Sequence, residues 1–224
     1  MGYQIAIDGP AGAGKSTIAR LLAARLGFTY MDTGAMYRAM GLFFTNSGKW
    51  PETDEEIEKL CASADIAIKF MDGEQHVFLN GKDVSKEIRL EQAGIAASKV
   101  STLGPVRKRL VELQQKLSAQ SDVVMDGRDI GTVVLPEANL KIYLGADVGV
   151  RALRRYKELK TKGIEADLSE IERDVAARDH QDMTRDISPL KQAEDAFYVD
   201  SSELSIEQVI AEILKLKEEK DRCR

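Results

Sequence analysis

Short apolar runs and a segment of helical periodicity alternate along the first thirty residues. The apolar run at 3–7 ends in Asp8-Gly9-Pro10, a turn signal, and therefore predicts a strand. The next segment predicts a helix closed by Gly27, and a second short strand follows at 28–31. The apolar residues at helical spacing in that segment are Ile18, Leu21, Leu22 and Leu26. The predicted order is strand, loop, helix, strand.

Three further apolar runs, at 123–125, 141–144 and 197–199, have the length and composition of buried strands. Strands that alternate with helices form a parallel sheet with helices on both faces, so we predict an α/β fold. The last helix is predicted to begin at a capping box formed by Ser205 and Gln208. The residues expected to be buried on it are Ile206, Val209, Ile210, Ile213 and Leu214.

About ninety residues separate the second predicted strand from the third, too many for one crossover helix. Within them, 66–70 and 76–79 predict a small hairpin assembly, because the turn signals Asp72-Gly73 and Asn80-Gly81 follow the two runs. Pro105 opens a predicted helix. The apolar stripe of that helix is Val106, Leu110, Leu113 and Leu117. We interpret the region as an insertion on the core, not an independent domain.

The chain has 224 residues, enough to bury a core without a disulfide or metal. Its 37 acidic and 32 basic side chains give a net charge of −5, which argues against a nucleic-acid partner. No apolar run is long enough to span a membrane, and no signal-peptide pattern precedes the first strand. Cys61 and Cys223 are interpreted as free thiols of a reducing compartment. These features predict a cytoplasmic protein with no membrane partner.

Residues 9–16, Gly-Pro-Ala-Gly-Ala-Gly-Lys-Ser, fit the phosphate-binding pattern G-x-x-x-x-G-K-[ST] in full. The glycines let backbone N–H groups approach phosphate oxygens, and the next helix points its positive end at the same anion. Lys15 would add charge for the β- and γ-phosphates, and Ser16 a hydroxyl for Mg²⁺. A chance glycine-rich turn is the alternative, but the loop lies between a predicted strand and a predicted helix, as the motif requires.

Asp126 ends the predicted strand at 123–125, the position expected for a carboxylate near Mg²⁺, through a bridging water. Gly127 follows it, where many motor ATPases carry a glutamate that activates the attacking water. The sequence therefore predicts no residue for that role at this position. The guanine-reading pattern N-K-x-D is absent, since the nearest string, at 80–83, breaks it. These features favour a kinase over a motor or a GTPase-like switch.

Several arginines are expected near the phosphate loop. Arg128 follows a strand at its carboxyl end, the usual ligand crevice of an open α/β sheet, and Arg38 follows the second strand. Arg178, Asp182 and Arg185 would share one stripe if their helix persists that far. Together they indicate a second phosphorylated ligand in an acidic protein.

Other interpretations of these charges stay open. Arg151, Arg154 and Arg155 could equally form a solvated basic face, and Arg178 with Asp182 an ordinary surface salt bridge. Bringing a nucleoside monophosphate to a triphosphate, however, juxtaposes roughly five or six negative charges. Guanidinium groups stay ionised and bind phosphate oxygens, so they can offset that repulsion. A phosphate acceptor is itself ionised at pH 7 and needs no general base.

The sequence resembles the bacterial cytidylate kinases of the P-loop nucleoside-monophosphate kinase family. The resemblance covers Ile5 to Leu214 and rests on the motifs at 8–16, 32–38, 126–132 and 178–185. It implies a P-loop NTPase fold with a five-stranded parallel core, at about 1–34, 120–150 and 186–216. It also implies a monophosphate-binding insertion with a small antiparallel sheet at about 35–119, and a short lid at about 151–185.

The resemblance also implies roles for individual residues. Arg38, Arg128 and Arg185 would hold the acceptor phosphate; Thr33, Arg107 and Asp129 would surround cytosine; Ser98, Arg178 and Asp182 would lie along the ribose. Arg151, Arg154 and Arg155 would close over ATP from the lid, and Lys15, Arg128, Arg155 and Arg185 would act in catalysis. The expected ATP-binding loop residues are Gly9, Pro10, Ala11, Gly12, Ala13, Gly14, Lys15, Ser16 and Thr17.

The edge of cytosine offers a physical check. Its N4 amino group donates while N3 and O2 accept, which an Asp acceptor beside an Arg donor matches. Uracil would face Asp129 with the wrong pattern, at a cost on the order of 1–3 kcal/mol. We therefore expect ATP-dependent phosphorylation of CMP, and of dCMP, by a monomer that uses Mg²⁺. The alternatives are a kinase for another nucleotide or a metabolite hydroxyl, and a non-catalytic nucleotide sensor.

Overall fold

The computed structural model describes residues 2–48, 50–71 and 74–222. Its strands are β1 (Gln4–Asp8), β2 (Thr29–Asp32), β3 (Ile66–Met71), β4 (Glu74–Leu79), β5 (Lys82–Asp83), β6 (Val123–Gly127), β7 (Leu140–Gly145) and β8 (Phe197–Asp200). Its α-helices are α1 (Lys15–Leu26), α2 (Thr33–Asn46), α3 (Asp54–Ala62), α4 (Glu91–Val100), α5 (Gly104–Ser118), α6 (Val148–Thr161), α7 (Leu168–Thr184) and α8 (Ile206–Arg222). A 3₁₀ turn occupies Glu87–Arg89 and a π-helical turn Ile130–Val134.

The chain divides into two compact units, one of residues 2–30 and 121–222 and one of residues 31–120. The predicted insertion at 35–119 falls within the second unit, and the predicted lid at 151–185 within the first. The lid boundaries stay a prediction. Among the described residues, no helix combines the length and the apolar character that crossing a bilayer requires.

The larger sheet has five strands in the order β2-β6-β1-β7-β8, and β1, β6, β7 and β8 lie in the first unit. β1 pairs in parallel with β6 and with β7, so that Ile5 lies opposite both Val124 and Leu140. β7 pairs in parallel with β8, with Tyr143 opposite Tyr198. The predicted five-stranded parallel sheet is confirmed. Because parallel strands end at one edge, the loops after β1, β6 and β7 emerge on the same side.

Helices α1 and α8 cover this sheet with their apolar faces. The core joins Ile5 and Ile142 of the sheet with Leu22 of α1 and Ile210 of α8, all essentially without solvent exposure. Burying a side chain of this size contributes about 1.5–3 kcal/mol. The capping box at Ser205 and Gln208 is confirmed by reciprocal hydrogen bonds.

One residue expected to be buried on α8 is not. Ile206 is half exposed, so that prediction is wrong, whereas Val209, Ile210 and Ile213 are buried and Leu214 packs at the edge of the core. Ile206 is the first residue of the helix and lies before the stripe that faces the sheet. Helical spacing placed it on the apolar side, but only the docking of the helix determines where the buried stripe begins.

The second unit contains the predicted small antiparallel sheet, in the order β3-β4-β5. Ile66 lies opposite Leu79, and the next turn has positive φ at Asn80 and Gly81, as a tight two-residue hairpin requires. The predicted turn at Asp72-Gly73 lies outside the described residues. A Cβ on Gly41 would lie 2.8 Å from the Ala96 carbonyl carbon, so glycine permits the close packing of α2 and α4.

The predicted helix at Pro105 is confirmed as α5, with proline in its first turn. Its buried face differs from the predicted stripe. Val106 and Leu110 are buried, but Leu113 and Leu117 are only partly so. The positions that replace them are polar: Arg107, Gln114 and Ser118. The stripe prediction followed apolar side chains alone, whereas the helix also packs its polar residues inward.

Candidate active site

The glycine-rich loop connects β1 to the first turn of α1. Gly12 and Gly14 adopt positive φ of 77° and 91°, which favours glycine, and α1 begins directly afterwards at Lys15. A Cβ on Gly9 would lie 2.1 Å from the Leu144 carbonyl oxygen, so glycine is required there too. The loop therefore has the backbone conformation and the adjacent helix N-terminus that suit a phosphate group.

Lys15 is buried at this loop, and its Nζ donates a 2.7 Å hydrogen bond to the Pro10 carbonyl oxygen. Burial, followed by the nearby positive charge of Arg128, lowers the pKa of Lys15 to about 7. An anion in the loop would favour the protonated ammonium. Without a bound anion, the charged form of Lys15 is therefore disfavoured in the folded protein.

Ser16 and Asp126 form the oxygen-rich part of the site. The Ser16 hydroxyl donates to Asp126 Oδ2 at 2.9 Å, and the Tyr30 hydroxyl donates to Asp126 Oδ1 at 2.9 Å. A hydroxyl and a carboxylate are ligands that suit Mg²⁺, directly or through water. No group of three or more His, Cys, Asp or Glu within the described ranges could hold an ion by itself. A magnesium ion here would therefore depend on nucleotide phosphates for further ligands.

Asp8 has a role that the sequence did not reveal. Its carboxylate accepts hydrogen bonds of 2.7 Å from the backbone N–H groups of Ile130 and Gly131, in the π-helical turn after β6. A Cβ on Gly131 would lie 3.3 Å from Asp8 Oδ2 and 3.2 Å from Lys141 Cδ. Burial raises the pKa of Asp8 to about 7, although both hydrogen bonds oppose the shift. The sequence did contain one signal for this role: Asp8 is an acidic residue at the end of a buried strand, directly before the phosphate loop.

Two of the predicted phosphate-binding arginines come together in the first unit. Arg128 Nε donates to Asp182 Oδ2 at 2.9 Å. Arg185 places its guanidinium 3.9 Å from Asp129 Oδ1 and 3.8 Å from Asp182 Oδ1. We call these four residues the arginine–aspartate cluster. Arg128 also lies near enough to Lys15 to lower its pKa, so the cluster borders the phosphate loop.

Arg178, Asp182 and Arg185 were expected to share one stripe only if their helix persisted to Arg185, and it does not. Helix α7 ends at Thr184, and Arg185 has an extended backbone, with its Nε donating to the Ser188 carbonyl oxygen. Arg178 is exposed on α7, whereas Asp182 is buried. The end of the helix turns the chain, and this turn brings Arg185 back to Asp182 and Asp129.

The three predicted lid arginines do not form one face. Arg151 is buried and donates to the Ala11 carbonyl of the phosphate loop, and the Arg154 guanidinium donates to Ser201. Arg155 is partly exposed on α6, and its Nη1 lies 3.0 Å from Glu158 Oε2. Interpreting all three as a solvated basic face is therefore wrong for Arg151. Contact of the three with ATP stays a prediction.

The remaining predicted residues lie in the second unit. Thr33 is buried in the first turn of α2, and Arg38 one turn later forms a 2.6 Å ion pair with Asp32. Arg107 is buried on α5, and its guanidinium lies 5.5 Å from the ring centroid of Tyr37. Ser98 is half-buried on α4. Within this unit the structure brings Arg107 to the helix that carries Thr33 and Arg38.

Comparisons with known proteins agree with this geometry. A family model described as "Cytidylate kinase" matches residues 5–219. A cytidylate kinase from Caldicellulosiruptor bescii is 51% identical over 95% of this chain and 94% of its own. A cytidylate kinase from Carboxydothermus hydrogenoformans is 51% identical over 95% of this chain and 96% of its own. The solved structure of an uncharacterized protein from Eubacterium ventriosum is similar in fold, with a TM-score of 0.55, 12% identity and coverage of 98% and 99%. The chain belongs to the cytidylate kinase family.

Proposed function

We propose that this protein transfers the γ-phosphoryl group of ATP to the phosphate of CMP, and of dCMP, giving the diphosphate. The observation that carries this proposal is the arginine–aspartate cluster beside the phosphate loop. Arg128 and Arg185 converge on Asp182, and Arg185 also approaches Asp129. A fold that held only a triphosphate would have no need for two further guanidinium groups at this border.

The charges of the cluster suit an acceptor phosphate. The Arg185 side chain is only 5% exposed and that of Arg128 21% exposed, so bound phosphate oxygens would meet them in a medium that screens charge weakly. Asp182 holds both arginines in place without a ligand. We propose that Arg128, Arg185 and Arg38 bind the acceptor phosphate, whose own ionised oxygen attacks, so that no general base is needed.

The other acceptor contacts are proposed from the family pattern. Thr33, Arg107 and Asp129 would recognise cytosine; Ser98, Arg178 and Asp182 would contact the ribose. Asp129 is buried, and a buried carboxylate discriminates strongly between a donating amino group and an accepting carbonyl. This supports a preference for cytosine over uracil.

On the donor side, the loop from Gly9 to Thr17 would bind the ATP phosphates, with Lys15 neutralising charge that spreads during transfer. Ser16 would hold Mg²⁺ and Asp126 would hold it through water. A magnesium ion held there would supply positive charge that offsets the charge of the nucleotide phosphates. Arg151, Arg154 and Arg155 would close over ATP, and exclusion of water would prevent its hydrolysis. We further propose a cytoplasmic monomer.

A substrate panel tests this function. With ATP and Mg²⁺, turnover is expected with CMP and dCMP, and at least tenfold less with UMP, AMP and GMP. Arg128→Ala should lower kcat/KM for CMP by about 10- to 150-fold, because a charged hydrogen-bonding partner contributes about 1.5–3 kcal/mol, while ATP affinity stays near normal. The matched control is Arg173→Ala, since that side chain is 76% exposed on α7. Turnover with another nucleotide alone, or unchanged CMP turnover in Arg128→Ala, contradicts the proposal.

A further inference from the structure

Arg151 joins three separate parts of the first unit through one guanidinium group. Its Nε donates to the Ala146 carbonyl at 2.9 Å, its Nη1 to the Ala11 carbonyl at 2.9 Å, and its Nη2 to Asp179 Oδ2 at 2.6 Å. The side chain is 3% exposed. Ala11 belongs to the phosphate loop, Ala146 follows β7, and Asp179 lies on α7. A planar guanidinium with three fixed acceptors holds these parts in one geometry.

The bond to Ala11 determines how the loop presents itself to an anion. A peptide group is planar and trans, so its carbonyl and the N–H of the next residue point in opposite directions. Since the Ala11 carbonyl points to Arg151, the N–H of Gly12 points away from Arg151. Arg151 therefore fixes the orientation of one backbone donor in the loop, without having to contact ATP itself.

Asp179 connects this guanidinium to the arginine–aspartate cluster. It lies three residues before Asp182 on α7, and both carboxylates are buried, while Arg178, His180 and Gln181 are exposed. Asp182 pairs with Arg128 and Arg185. One turn of α7 therefore carries both carboxylates: Asp179, which binds Arg151, and Asp182, which binds the arginines of the arginine–aspartate cluster.

A contribution to stability does not explain why Arg151 and Asp179 form a buried ion pair. The Arg151–Asp179 ion pair is almost wholly buried, and a buried ion pair adds little net stability compared with apolar side chains of similar size. Asp179 Oδ1 is also buried and accepts no hydrogen bond from any residue that the structure describes. The pair therefore carries a desolvation cost, which is consistent with a role in geometry.

We propose that Arg151 and Asp179 are positioning residues that couple the donor loop to the acceptor arginines, so that ATP and CMP each strengthen the binding of the other. The inference rests on the proposed function. Movement of α7 that changes the geometry of Asp182 also moves Asp179, and through Arg151 it moves the Ala11 peptide. A ligand that orders one end of this chain of bonds reduces the ordering left for the second ligand.

The test measures coupling, not activity alone. The dissociation constant of a non-hydrolysable ATP analogue with Mg²⁺ is measured by calorimetry with and without saturating CMP, and the reverse titration must give the same ratio. Wild-type protein is expected to show a ratio of about 5–150. In Asp179→Asn and Arg151→Lys the ratio should fall toward 1, because each variant breaks the three-way connection.

The matched control is Asp174→Asn, an exposed acid on the same helix, which should keep the wild-type ratio. A wild-type protein with CMP turnover but no coupling overturns the inference, as do variants that weaken each ligand while leaving the ratio unchanged. If only one variant folds, that variant decides; if neither folds, the pair is structural and the inference fails. A wild-type protein without CMP turnover contradicts the proposed function instead.

Discussion

Replacing Asp8 by asparagine tests the electrostatics of the site through the dependence of stability on pH. Burial raises the pKa of Asp8 from 3.8 to about 7 in the folded protein. Between these two values the folded state binds a proton that the unfolded state has released. The free energy of unfolding therefore falls as the pH rises from about 4 to about 7, and Asp8 causes no further change above that range.

The size of this effect follows from the two pKa values. One unit corresponds to 1.36 kcal/mol, so wild-type protein should lose about 3 kcal/mol between pH 5 and pH 8 through Asp8 alone. Asparagine does not titrate and removes this loss. Its amide can accept from only one of the N–H groups of Ile130 and Gly131, because its NH₂ group faces the other. The donor left without an acceptor costs about 1–3 kcal/mol at every pH.

Urea unfolding followed by circular dichroism, at one-unit steps from pH 5 to pH 8, measures both contributions. Asp8→Asn should be less stable than wild type at pH 5, and its disadvantage should shrink by about 3 kcal/mol, or reverse, by pH 8. The control Asp174→Asn, at an exposed position, should follow the wild-type curve. A difference between Asp8→Asn and wild type that is the same at every pH would refute the reasoning, because the carboxyl would then titrate in its ordinary range.

Three other changes have defined outcomes. Lys15→Met should raise the thermal unfolding temperature without ligand, because it removes a charge whose burial lowers its pKa, and should weaken ATP binding at least 100-fold by calorimetry; a lower unfolding temperature contradicts this. Asp129→Ala should reduce the CMP-over-UMP ratio of kcat/KM about tenfold or more, and an unaltered ratio removes Asp129 from base recognition. Ile213→Ala, at a fully buried position of α8, should cost about 2–5 kcal/mol in urea unfolding, whereas Ile206→Ala, at a half-exposed position, should cost much less.

The sequence was sufficient for features that depend on local chemistry. The phosphate loop could be predicted because positive φ at Gly12 and Gly14 follows from glycine at set spacing before a helix. The five parallel strands were found within one or two residues, since buried parallel strands are continuous apolar runs. The capping box at Ser205 was likewise predictable, because its two partners are three residues apart.

The predictions that failed concerned features set by how helices pack and by where the chain turns after a helix ends. Helical spacing put Ile206 in the core, but docking exposes it. The same spacing would have put Arg185 on a stripe of α7 had the helix continued, but α7 ends one residue before Arg185. The burial of polar positions on α5 was not predicted, because apolar periodicity does not register Arg107 or Gln114. Asp179 and Asp8 were overlooked because their partners lie far away in sequence.

Residue order therefore determined where this chain would bind phosphate and which class of kinase it resembles, because a tight loop, a helix start and a buried strand are specified by neighbours along the chain. Tertiary structure decided which charged groups meet. Asp8 with the turn after β6, Arg151 with Ala11 and Asp179, and Arg128 with Asp182 all join residues dozens of positions apart. The physical reason is that a charge is neutralised by what packs against it in three dimensions, and that environment exists only once the sheet and its helices have assembled.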